Sequence, residues 1–109
     1  MFGRRKQTKV THSSQRYRLS ELLNYEVAQG AIVLRIYEMG DVGDAITPEF
    51  AWMVGQVVGA EQADEALRMG ASLEQCQMVR SVYDRATEEV ARHYEPGGKM
   101  HGFTVRQIN

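Results

Sequence analysis

Cys76 and His93 are the first residues to weigh for chemistry, because a thiolate nucleophile needs an imidazole within hydrogen-bond reach. They are the Cys–His pair that falls within one predicted element, 17 positions apart. On a helix that is about 25 Å along the axis at ~1.5 Å per residue, so the helix alone cannot make them a dyad. Cys76 also sits on an apolar stripe, where a thiol behaves as a small buried hydrophobe. Glu89 and His93 are i,i+4 neighbours, but two ligands fall short of the three or four that zinc requires. His12 and His101 lie near the two ends of the chain. The single cysteine excludes an internal disulfide and a four-cysteine zinc site.

Glycine-rich stretches give no stronger lead. Glu38, Asp41 and Asp44 beside Gly40 and Gly43 do not match the calcium loop, whose acids recur at alternate positions. Gly40-x-x-Gly43 lacks the following lysine and preceding strand of a phosphate loop, and Gly97-Gly98-Lys99 reads as a helix stop. No acid, base and binding loop assemble. The expectation is a protein that is not an enzyme and that holds no metal or cofactor.

Charge is more informative. Residues 1–18 carry Arg4, Arg5, Lys6, Lys9, Arg16 and Arg18 with no acid, a charge of +6. The remainder holds seven bases and all fourteen acids, a charge of −7, which the net −1 conceals. Such a segment suits the neutralisation of phosphates or contact with an acidic partner. Membrane-surface binding is the weaker use, since Phe2 and Val10 alone offer apolar anchorage.

Residues 62–79 have the layout of a helix-turn-helix: Ala66 where two helices meet, Gly70 for the turn, Ser72 as the next cap, then Cys76 and Val79 turned inward. The stretch resembles the general helix-turn-helix class, which implies a second helix projecting into a major groove. Gln77 and Arg80 would then face bases or phosphates, although Glu74 would repel a phosphate. The same letters also describe two helices joined by a capped corner.

Two functions follow as expectations. One is a small nucleic-acid-binding regulator, with DNA the expected form, using Arg4, Arg5, Lys6, Lys9, Arg16, Arg18, Gln77 and Arg80. The other is a protein–protein adaptor or inhibitor working through the acidic body, with Trp52 and Met78 as partner-binding residues. Trp52 projects opposite the apolar face of its helix and Met78 into a polar face, and large apolar side chains so placed often mark an interface. A homodimer is compatible with either.

These residues need elements to position them. Ser72 with Gln75 three positions on is a capping box, and Cys76, Val79, Tyr83, Ala86, Val90 and Tyr94 form a stripe about 80° wide at ~100° per residue. Pro96-Gly97-Gly98 ends that helix, predicted over 73–95. Thr47-Pro48 starts another, on which Phe50, Met53, Val54, Val57 and Val58 cluster until Gly59. A short piece then places Ala60, Ala63, Ala66 and Leu67 on one face before Gly70.

Segment 19–39 reads as a helix or, over 31–38, as a strand, because Ile32, Val33 and Ile36 are β-branched. The helix is favoured. It gathers Leu19, Leu22, Leu23, Gly30, Val33, Leu34 and Tyr37, with Gly30 admitting a neighbouring helix.

The expected architecture is an all-α domain of four helices over 18–97, a flexible basic arm over 1–17 and an irregular or strand-like tail over 98–109. A chain of 109 residues with 43% hydrophobic residues suits one such domain. No apolar run approaches the ~18–20 residues of a membrane span and no signal peptide opens the chain, so the expected location is cytoplasmic.

Overall fold

The computed structural model describes residues 18–106, and they form four helical segments: α1 over 18–22, α2 Tyr25–Met39, α3 Pro48–Arg68 and α4 Leu73–His93. The small all-α domain is as expected, and the stretch 31–38, open to a strand reading, is helical throughout. Its boundaries differ from expectation in two places.

Helices α1 and α2 are separate because the side chain of Asn24 accepts the Val27 N–H at 3.0 Å and so caps a new helix. Helix α3 runs unbroken through Gly59, where the sequence suggested a stop. A helical glycine costs only about 1 kcal/mol relative to alanine, and here close packing offsets that cost. The predicted caps are in place elsewhere. Thr47 accepts from the Phe50 N–H at 3.0 Å with Pro48 in the first turn. Ser72 and Gln75 exchange both bonds of the capping box, at 2.8 and 3.1 Å.

The core is organised around α4. Its buried stripe of Val79, Tyr83, Ala86, Val90 and Tyr94 is the one the periodicity predicts, with Cys76 half-buried at its start. Helix α3 lies antiparallel along it, since Gly59 faces Tyr83 and, further back along α3, Gly55 faces Thr87 further on along α4. A Cβ at Gly55 would overlap the Thr87 side chain, and one at Gly59 would lie 3.0 Å from Tyr83 Cβ. Thr87 is fully buried and its hydroxyl donates back to the Tyr83 carbonyl at 2.6 Å, so the close approach leaves no polar atom stranded there.

The core face of α3 is therefore Ala51, Val54, Gly55, Val58, Gly59 and Ala66, rather than the larger set expected. Met53, Val57, Ala60 and Leu67, assigned inward from the sequence, are exposed.

Helix α2 packs on both members of the hairpin. It buries Ala28, Ile32 and Ile36, not the Gly30–Leu34–Tyr37 side. Leu34 is 58% exposed, and a Cβ at Gly30 would touch nothing within 4 Å. Arg35 joins α2 to α3 by two hydrogen bonds to Glu61, at 2.8 and 3.2 Å. The Arg85 guanidinium of α4 stands 5.1 Å over the Tyr25 ring.

The tail folds back on the loop between α2 and α3. The Gly43 N–H donates to Val105 O at 2.8 Å and the Ile46 N–H to Phe103 O at 3.0 Å, with Val105 buried. Val42 pairs with Val105 and Ala45 with Thr104 as isolated bridges, so strand-like pairing occurs without a strand among the described residues.

Candidate functional site

Of the residues expected to touch nucleic acid, Arg18, Gln77 and Arg80 are among the described residues. Arg4, Arg5, Lys6, Lys9 and Arg16 lie outside the described residues. Arg18 is exposed, with Glu65 at 3.9 Å. Arg80 is partly exposed at the α3–α4 seam: one guanidinium nitrogen donates to Gln56 Oε1 on α3 at 2.8 Å, and Nε faces Asp84 at 3.4 Å.

Gln77 is exposed on α4, in a shallow groove shared with Leu23, Glu74, Met78, Ser81 and Val82. Gly70, at a φ of 91°, makes the left-handed turn that reverses the chain after α3. Because α3 and α4 then pack lengthwise, 62–79 is the turn of an antiparallel αα-hairpin. Its second helix buries its stripe against the first and does not stand apart as a projecting reader would.

Catalytic groupings are no closer. Cys76 and His93 stand in the first and last turns of α4. His93 Nε2 is 3.5 Å from Glu89 and takes no further carboxylate partner among the described residues. No cluster of three or more His, Cys, Asp or Glu able to hold a metal occurs among the described residues.

What the fold does assemble is apolar surface. Along α3, Trp52, Met53, Val57, Ala60 and Leu67 are exposed. Met53, Val57 and Ala60 recur at three- to four-residue spacing with Leu67 two turns further on, while Trp52, one turn before Gly55, lies toward the α4 edge. Trp52 is 44% exposed and Leu67 54%. The charges along this side are acidic. Glu49 and Asp64 are both exposed and form no ion pair among the described residues. At the α4 border Asp84 is ion-paired with Arg80, which also donates to Gln56, so that pair adds no net charge.

A second apolar area lies on α2. Leu34 and Tyr37 form one wall of a groove of about 590 Å³ whose other residues are Glu38, Phe103, Val105 and Arg106. Tyr37 and Phe103 stack with ring centroids 5.6 Å apart. Met78, 49% exposed, stands apart from both areas beside Leu23.

The Arg35 hydrogen bonds and charge hold the Glu61 carboxyl below its ordinary value, and Glu61 raises Arg35 in return. Burial pushes the Tyr83 and Tyr94 phenols up, with the nearby Tyr37 adding to the shift at Tyr94.

Of the exposed residues, Trp52 and Met78 were legible as outward-facing from the helical wheel. Val27, Leu34, Met53, Val57 and Leu67 were not, because they are apolar and the wheel assigns apolar residues inward. The signal that would have found them is excess: α2 and α3 carry apolar residues around most of their circumference, more than one buried face uses.

No family model, curated protein or solved structure matches the chain. None of its described helices is long and apolar enough to cross a membrane.

Proposed function

We propose that the domain is a protein–protein adaptor or inhibitor that docks through the outer face of α3. The observation that carries this reading is the stripe of Trp52, Met53, Val57, Ala60 and Leu67, which α2, α4 and the described tail leave uncovered. A contiguous apolar face of this kind, with an aromatic anchor, is what protein interfaces are built on. Trp52 supplies a large ring with few rotatable bonds, so it anchors a partner at little entropic cost.

Placing a photo-crosslinking residue at position 57 and expressing the full chain in its own cells tests the reading. The expected result is one discrete covalent adduct at 57 and none when the crosslinker is moved to Glu88 on the outward side of α4. Equal adducts at both positions, or none at 57, would reject the α3 face.

A second reading, a nucleic-acid-binding regulator, is favoured by the +6 charge of residues 1–18. On this reading the N-terminal bases would carry the affinity, because Arg80 is already engaged with Gln56 and Asp84. Neutralising Arg4, Arg5, Lys6 and Lys9 should then lower the salt dependence of duplex-DNA binding by about 0.9 per lost phosphate contact. Gln77→Ala and Arg80→Ala should leave it unchanged. A salt slope indifferent to the four substitutions rejects this second reading.

A further inference from the structure

We infer that the α3 face receives an amphipathic helix of a partner protein whose apolar stripe is flanked by Lys or Arg, an inference that rests on the adaptor reading above. Shape comes first. From Met53 to Leu67 the exposed stripe runs along one straight helix for about 21 Å at ~1.5 Å per residue, the length of some four helical turns. It is a ridge on one helix and not an enclosed pocket, so its natural complement is another helix laid alongside.

Composition agrees. Helix α3 is apolar around most of its circumference, the pattern of a helix surrounded by others, yet the described residues cover only the side of Ala51, Gly55, Val58 and Gly59. A docked helix would complete the surround.

Charge selects the partner. Glu49 and Asp64 stand within the exposed arc without an ion pair among the described residues, while the nearest bases are each matched by an acid: Arg35 by Glu61, Arg68 by Glu65 and Arg80 by Asp84. An apolar stripe that carries acids among its exposed residues attracts a helix bearing bases beside its apolar stripe and repels an acidic one. The same acids disfavour a second copy of this chain, whose face would bring like charges onto like.

The test titrates the full chain with two synthetic helical peptides of about 18 residues (some five turns) that share one leucine stripe. One carries Lys at the flanking positions and the other Glu. Trp52 is the only tryptophan, so its emission reports occupancy directly. The Lys peptide should shift that emission to the blue and bind at least about tenfold more tightly than the Glu peptide. That preference should shrink between ~0.05 and ~0.5 M salt. Glu49→Lys with Asp64→Lys should reverse it, and Met53→Ser with Val57→Ser should abolish binding while the helical circular dichroism stays unchanged.

Equal binding of both peptides would overturn the charge inference and leave apolar docking at α3 standing. No emission shift with either peptide would overturn both. Binding of the Lys peptide only after removal of residues 1–17 would show that the chain's own basic segment fills the face, which also overturns the inference. Concentration-dependent self-association lost in the Met53→Ser, Val57→Ser variant would assign the face to a second copy instead.

Discussion

Two glycines on neighbouring helices have opposite roles, and substituting each by alanine separates them. At Gly55 a methyl group would overlap Thr87, whose hydroxyl is itself tied to the Tyr83 carbonyl, so the α3–α4 contact must open. Gly55→Ala should cost about 1–3 kcal/mol, the usual range for overpacking a tight core. Gly30 meets nothing and has an ordinary helical backbone, so Gly30→Ala should raise stability by about 0.5–1 kcal/mol through helix propensity. Chemical denaturation of the two variants checks both signs; a neutral Gly55→Ala would mean that the helices separate without penalty. Also at this scale, the Glu61 carboxyl is held below its ordinary value of 4.5 by Arg35. Its folded pKa is depressed, so its contribution to stability is present above that value and is lost as pH falls through the depressed one. Glu61→Gln should therefore lower stability near neutrality and flatten the stability–pH profile below about pH 4.5, where the two proteins converge. An unchanged acid limb would show that the pair is not populated in solution.

At the scale of elements, the cap at Asn24 decides whether α1 and α2 are one helix or two. Asn24→Ala removes the acceptor for the Val27 N–H and should cost about 1 kcal/mol, with amide exchange quickening first in the opening turn of α2. Uniform exchange along α2 in that variant would deny the cap its role. The same element shows what could be read from the residues. Helix α4 was legible almost to its ends, since a stripe of Val79, Tyr83, Val90 and Tyr94 opposes a face of charges and Ser72 announces its start. Helices α2 and α3 were legible as helices but not in orientation. With Ile32 on one side of α2 and Leu34 on the other, periodicity does not say which side meets the core. The glycines misled for the same reason: Gly59 reads as a stop but marks the closest helix contact, while Gly30 reads as a contact but is open. The lengthwise packing that ties Arg80 to Gln56 arises between residues over twenty positions apart, and no local pattern records it.

At the scale of the whole molecule, the tail holds the α2–α3 loop in place. Val105 is buried against Gly40 and Ile46, while the Gly43 and Ile46 amides donate to tail carbonyls. Truncation after residue 101 should strip three backbone hydrogen bonds to the loop and a buried valine, lowering stability by about 2–4 kcal/mol while α3 and α4 stay helical. A melting temperature equal to that of the full chain would refute this. The pairing of Val42 with Val105 also sets an order in time. During synthesis the hairpin of α3 and α4 can close as soon as its own residues emerge, since its contacts are local. The loop ahead of it must wait for a segment made some sixty residues later, and closing so long a span carries an entropic cost that a short turn does not. A nascent chain stalled before residue 103 should thus present a formed hairpin beside an unsettled α2–α3 junction. Emergence of residues 103–105, rather than the appearance of any helix, would be the event that completes the fold.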